Sequence, residues 1–369
     1  MSPAALAALV ISSGCTAVML LIDAAGGPSF LTGLALAMLP VPVLISLILK
    51  LDPLEPEPWR ALVFVFMWGA GVAILGAVIL NELGLQYVMA PIFGPEKGRL
   101  VVTTVSAPLV EESLKGAVLF GYLRFYSREL DELTDGIIYG AMVAVGFAMM
   151  ENIAYYMRAA ASDELGGVFI LRGVITPFGH PLFTALTGVG VAYAAMHRGT
   201  VRRIAPLAGL AAAAITHGAW NYSTVFGAYA IALCIVAILT WFVVRERRAM
   251  RGHIDTFLTP YVADGLVRPD DIQMLASPGW RSQARAWAAI HGGTAAARAM
   301  GYYQLAATEL VLLHKMAAYG VTEPSWFDQR REALVELVRV SRETFQSAVS
   351  PAGNRGTEPH ASGRDHEAG

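Results

Sequence analysis

Seven side chains in this sequence can do chemistry as a group. Glu111, Glu112 and Lys115 sit inside Val101–Phe120, a stretch otherwise apolar enough to cross a bilayer. Ionisable groups at that depth are costly and point to function by default. The spacing places either glutamate on the same helical face as the lysine. Later apolar segments bring Glu151, His180, His217 and Asn221. Phe147 and Glu151 are four apart, as are His217 and Asn221, so each pair shares a face of its helix. Neutral imidazole and carboxylate are ligands for Zn²⁺, and a metal would offset the burial of the carboxylates. A free glutamate can take a proton from water and return it to a leaving amine. Metal and base together make a nucleophile able to attack a peptide carbonyl. Asn221 can donate to the developing oxyanion. Lys115 reads as the partner of a glutamate rather than as the base. The compact HExxH helix of ordinary zinc peptidases is missing, so spacing alone does not identify zinc.

Blander readings fit other residues. Thr134 and Asp135 read as a helix cap. His197, beside Arg198, reads as a bystander, and His253, His291 and His314 read as structural. Cys15 and Cys234 lie in apolar segments and read as small hydrophobes rather than as a disulfide framework.

The elements that position the group are membrane spans. The chain has 369 residues, of which 55% are apolar and 15% charged, and its mean hydropathy is +0.52. Soluble domains carry nearer ~25% charge. The net charge of −2 gives no basis for nucleic-acid binding. The fold class expected is all-α, a polytopic membrane helix bundle of about eight transmembrane helices plus a small helical cytoplasmic domain. The spans read as Ala4–Leu21, Phe30–Leu49, Ala61–Leu80, Val101–Phe120, Ile137–Tyr156, Phe178–Met196, Ile204–Tyr222 and Val225–Val244, each near the ~20 residues that cross a hydrocarbon core. The first stretch lacks a basic n-region and reads as a span, with a cleaved signal peptide as the lesser alternative. Residues 1–250 then form the membrane domain, 251–349 a helical cytoplasmic domain, and 350–369 a disordered tail.

Basic residues set the orientation. Lys50, Arg60, Arg124, Arg128, Arg198, Arg202, Arg203 and the Arg245–Arg251 group all fall on one side of an eight-span chain. Both termini should therefore be cytoplasmic. A re-entrant segment around Gly166–Gly179 would flip the downstream part. Asp52–Trp59, with its Glu-Pro-Glu-Pro run, reads as a stiff cytoplasmic turn. Residues 83–99 read as an outer interfacial helix or lid. In this topology the polar groups of four consecutive spans fall in the outer half of the bilayer, with the glutamate pair deepest, about ten residues or ~15 Å below the outer end of their span.

The sequence resembles the PrsW family of intramembrane proteases, distantly similar to the type II CAAX prenyl endopeptidases. The resemblance is carried by Glu111-Glu112-Ser-Leu-Lys115, Phe147-Ala-Met-Met-Glu151-Asn152, His180 and His217-Gly-Ala-Trp-Asn221, and covers about residues 30–222. It implies an intramembrane metalloendopeptidase acting near the outer face on a single-span membrane protein, such as an anti-sigma-factor-like regulator. It also implies that Glu111, Glu112, Glu151, His180 and His217 form the active site, with Asn221 as helper. The expected roles are catalytic for Glu111, Glu112 and Asn221 and metal-ligating, for Zn²⁺, for Glu151, His180 and His217. A metal-free mechanism, with glutamate-activated water and a histidine–asparagine oxyanion site, stays open beside it. Two rivals have other chemistry. A proton-coupled transporter would use the same buried groups, but it needs a polar path to both sides and matching interrupted helices. A non-enzymatic membrane scaffold would tolerate Glu112→Gln.

Overall fold

The computed structural model describes residues 3–349, and all their regular structure is helical. The tail expected to be disordered lies outside the described residues. The chain divides into two units. One comprises the residues up to 253 together with 312–327, and the other comprises 254–311 with the residues from 328 onward.

In the first unit, α1 runs Pro3–Ala25, α2 Phe30–Met38 and α3 Val41–Leu49, with Pro40 breaking α2 from α3. α4 is Trp59–Trp68, α5 Ile74–Gly84 and α6 Ala90–Phe93, joined by π-helical turns at Gly69–Ala73 and Leu85–Met89. Gly94, at φ +82°, turns the chain into α7, Pro95–Val101. Helix therefore fills most of 83–99, where the sequence suggested an interfacial helix or lid. A further π turn, Val102–Ser106, leads into α8, Ala107–Phe125. Next come α9, Leu133–Ala161, and α10, Leu165–Phe169, which continues into a π turn at Ile170–Ile175. α11 is Gly179–Ala195, α12 Gly199–Tyr222 and α13 Val225–Ala263.

Among the described residues, six helical stretches are long and apolar enough to cross a membrane: Pro3–Ala25, Phe30–Leu49, Trp59–Phe93, Leu133–Ala161, Leu165–Ala195 and Val225–Ala263. The two other spans read from the sequence are helices too, but they fall outside this group. They are α8, which carries Glu111, Glu112, Lys115 and Arg124, and α12, which carries Arg202, Arg203 and His217. The site residues themselves dilute the apolar signal of the helices that bear them.

α9 is the axis. Most of its 29 residues are buried, and it packs against α2, α3, α4, α8 and α11. Small residues let these helices approach closely. A Cβ on Gly188 would lie 1.8 Å from the Gly136 carbonyl oxygen, and one on Gly136 would lie 2.1 Å from that of Gly188. The two backbones of α9 and α11 therefore touch where any side chain would part them. Leu44, Val65, Val118, Tyr139, Val143 and Val191 form the buried apolar cluster around this axis.

The start of α9 is held by carboxylates. Asp135 accepts the amides of Asp131 and Glu132 at 3.0 and 2.7 Å, in a reciprocal capping box with Glu132. Glu246 accepts the amides of Leu133 and Thr134 at 2.7 and 2.9 Å. Asp135 thus caps the helix as its sequence position suggested, because the first amides of a helix need acceptors. Lys315 donates to the Asp131 carbonyl at 2.8 Å and pairs with Glu132 at 3.6 Å.

The second unit is helical as well. α14 is Pro269–Leu275, α15 Pro278–Ala318 with a break at Gly293 (φ +69°), and α16 Pro324–Val349. Arg281 is buried and donates to the Leu275 carbonyl and the Thr308 hydroxyl at 2.7 and 2.6 Å. Its charge is satisfied inside the unit.

Candidate active site

α8 delivers Glu111, Glu112 and Lys115 to the bundle interior, where all three are buried and Glu112 and Lys115 have no solvent exposure. The ammonium of Lys115 donates to Glu112 Oε1 at 2.8 Å, lies 3.7 Å from Glu111 Oε2, and sits 4.0 Å above the Phe147 ring of α9. Burying these charges is tolerable because they are paired at short range.

The two glutamates differ in one decisive respect. Glu112 is saturated. Besides Lys115, it accepts the Thr184 hydroxyl on Oε2 at 2.8 Å and faces His217 Nδ1 from Oε1 at 3.1 Å. Glu111 is not. Its Oε1 accepts only a long 3.4 Å bond from Asn81, and its Oε2 is buried with no hydrogen-bond partner. That orphan oxygen lies 4.0 Å from His217 Nε2. Because Glu112 accepts at Nδ1, the hydrogen of neutral His217 sits there, and Nε2 turns its lone pair toward Glu111. A histidine oriented by a carboxylate in this way is the usual preparation for metal ligation or water binding.

His180 occupies the start of α11, just after a break at 176–178 that contains Pro177. Its Nδ1 lies 3.0 Å from Lys115 Nζ and its Nε2 lies 3.1 Å from Glu151 Oε2. Its ring stands perpendicular to that of His217, with centroids 4.9 Å apart. Phe183 stacks on His217 at 4.9 Å and closes its apolar side. Close packing holds the far end of α12 in place: a Cβ on Gly218 would lie 2.3 Å from the Thr104 carbonyl oxygen.

Donor atoms of Glu111, His180 and His217 all lie within 4.8 Å of one another. Glu151 is elsewhere engaged, paired with Arg172 and with His180 on the same oxygen. The convergent carboxylate is therefore that of Glu111, where Glu151 was expected. Asn221 is exposed and donates to the Thr103 carbonyl at 2.9 Å, tying α12 to the π turn before α8. The sequence reading passed over Asn81, Thr184 and Arg172. Thr184 follows His180 by four residues on α11, a spacing that could have been noticed. Arg172 looked like an ordinary loop cation.

Proximity of acids alone does not make this site. Asp52, Glu132 and Asp135 also bring oxygens within 4.8 Å of one another. There the oxygens serve backbone amides and Lys315: Asp52 accepts the amides of Leu54 and Glu55 at 2.9 and 3.2 Å. At the α8 site the partners are side chains, and two imidazoles join one carboxylate. That donor set, two histidines and one glutamate, is one that catalytic zinc sites use. Donor atoms of all three residues lie close enough for them to fit a metal ion, with His180 Nδ1 here occupied by Lys115 at 3.0 Å.

Residues 57–245 match the family described as PrsW family intramembrane metalloprotease. A protein called Protease PrsW from Geobacillus kaustophilus is 29% identical over 137 residues, which are 37% of this chain and 55% of that protein. The protein of that name from Clostridioides difficile is 30% identical over 153 residues, 42% of this chain and 62% of its own length. One from Oceanobacillus iheyensis is 25% identical over 224 residues, 60% of this chain and 97% of that protein. The chain thus spans little more than half the length of the first two of these relatives and nearly all of the third. No solved structure matches the chain. With a family match over residues 57–245, which span Glu111, Glu112, Lys115, Glu151, His180 and His217, the chain belongs to the PrsW family of intramembrane metalloproteases.

Proposed function

We propose that the chain is an intramembrane endopeptidase that hydrolyses a peptide bond of a membrane-anchored protein, near the outer face of the cytoplasmic membrane, with both termini cytoplasmic. The observation that carries this reading is the division of labour between the adjacent glutamates. Glu112 is fully bonded and holds His217, whereas Glu111 keeps a buried oxygen without a partner, facing a free imidazole nitrogen.

A gap of 4.0 Å between Glu111 Oε2 and His217 Nε2 suits a water that bonds to both. Glu111 takes the proton of that water as it attacks the scissile carbonyl, then hands it to the leaving amine. Glu112, fixed by Lys115 and Thr184, keeps the hydrogen of His217 on Nδ1. Phe147 and Phe183 line the histidines, with Trp220 against Phe183, and exclude bulk water, which strengthens every charge interaction in the site. In the metal-dependent alternative the same Glu111 oxygen, with His180 and His217, would instead hold a Zn²⁺ ion, which when bound would supply a Lewis acid that acidifies water and polarises the carbonyl. Asn221, bonded to Thr103, acts as a brace for α12 rather than as an oxyanion donor. A single-span regulator, such as an anti-sigma-factor-like protein, is the substrate class that suits a site on buried helices.

The test is cleavage of single-span substrates by the full chain in lipid nanodiscs. Wild type should cleave, Glu111→Gln should not, and the variant should keep its helical content. Undiminished cleavage by Glu111→Gln would falsify the assignment of the base. Proton uptake coupled to solute flux, without cleavage, would favour a transporter.

A further inference from the structure

Arg172 belongs to none of the helices that carry the clustered residues. It projects from the π turn Ile170–Ile175 and makes three contacts with one stretch of α9. Its Nε donates to Asn152 Oδ1 at 2.7 Å, a terminal nitrogen donates to Glu151 Oε2, and its guanidinium lies 3.7 Å above the Tyr155 ring. A planar fork stacked on an aromatic face is a task to which arginine is suited and lysine is not.

The oxygen that receives Arg172 also receives His180 Nε2, at 3.1 Å. A carboxylate oxygen only accepts, so Nε2 must carry the hydrogen of a neutral ring. The lone pair is then on Nδ1, where the Lys115 ammonium donates to it at 3.0 Å. Every donor in this row meets an acceptor in one tautomer only. In the opposite tautomer Nδ1–H would confront an ammonium and Nε2 would confront a carboxylate, both without a hydrogen bond.

We propose that Arg172 is a positioning residue: by fixing Glu151, it sets which nitrogen of His180 presents its lone pair to the α8 cluster. This deepens the protease reading and rests on it for its effect on rate. The alternative is that Arg172 merely clamps the 165–175 segment to α9.

The experiment uses the full chain in nanodiscs with ¹⁵N-labelled histidine rings, the His180 signal being assigned by its loss in His180→Gln. Wild type should show His180 protonated on Nε2. In Arg172→Gln that single tautomer should be lost, while His217, held by Glu112, keeps its own. On a cleaved substrate, kcat should fall about tenfold or more, with KM within about twofold. Arg172→Lys should restore the tautomer and the rate in part. An unchanged His180 tautomer in Arg172→Gln overturns the proposal. So does simultaneous disturbance of His180 and His217, which marks a general loss of structure, unless Arg172→Lys disturbs His180 alone. A wild-type chain that shows the tautomer but cleaves nothing refutes the protease reading and leaves the role of Arg172 intact.

Discussion

α9 has a buried acidic cluster near each end, and the two are built on different logic. At its start, Asp135, Glu132 and Glu246 face backbone amides and Lys315. Toward its other end, Glu151 belongs to a network with Arg172, His180, Lys115, Glu112 and His217, in which side chains answer side chains. The first cluster closes a helix terminus. Each holds a buried carboxylate oxygen without a hydrogen bond, Glu132 Oε1 in the first and Glu111 Oε2 in the second, and the latter lies 4.0 Å from His217 Nε2. Burial, acidity and an unbonded carboxylate oxygen are common to both, so the kind of partner, imidazole against backbone amide, separates the candidate reactive cluster from the structural one.

The comparison can be broken most directly at the paired glutamates. Glu111→Gln should lower kcat by about 10²–10⁴-fold while thermal unfolding of the purified chain stays near that of wild type. Glu112→Gln should cost both. It leaves the Lys115 charge buried with a weakened partner, a loss of about 3–5 kcal/mol, and it releases His217. If the two variants behave alike in unfolding assays, the division of labour is wrong. Next in size is metal content. His217→Ala should reduce bound transition metal, measured by elemental analysis of purified protein, by about 10–100-fold in affinity, and Asp135→Asn at the other cluster should leave it unchanged.

Smaller effects belong to the start of α9. Asp135→Ala removes a helix cap and should destabilise the chain by about 1–2 kcal/mol, with kcat retained on the folded fraction. The neighbouring linker adds a pH effect. Burial raises the Glu57 carboxyl from 4.5 to about 8. Between those values the folded chain keeps a proton that the unfolded chain has released, so stability should fall as pH rises through this window. Glu57→Gln should flatten that slope in thermal unfolding followed from pH 5 to 8. Asn221→Ala should give the smallest change, a few-fold loss of rate through looser packing of α12, followed in the same cleavage assay.

Much of this was legible in the sequence. Hydrophobic length exposed the helical bundle, because a helix in lipid must satisfy its own backbone. The buried ionisable residues of α8, α9, α11 and α12 announced a shared site. The ranking within that site was not legible. Glu111 and Glu112 are the same residue type at adjacent positions, and only the neighbours supplied by α11 and α12, Thr184 and His217, show which one is tied down. Arg172 was hidden for a related reason. A π turn brings it onto α9 from a stretch that counts as a connection in a hydropathy reading. Two of the helices that carry the cluster, α8 and α12, were the hardest to count as spans, since their ionisable and polar side chains lower their apolarity.

The ion pair within α8 has a consequence for biogenesis. Glu112 and Lys115 emerge from the ribosome long before Thr184, His180 and His217, the groups that complete their bonding. A charged residue at mid-membrane costs about 2.5–3.5 kcal/mol on insertion scales, so a lone α8 is a poor candidate to leave the translocon early. Their three-residue separation lets Glu112 and Lys115 meet on their own helix at once, so this pair is neutralised before the later helices arrive.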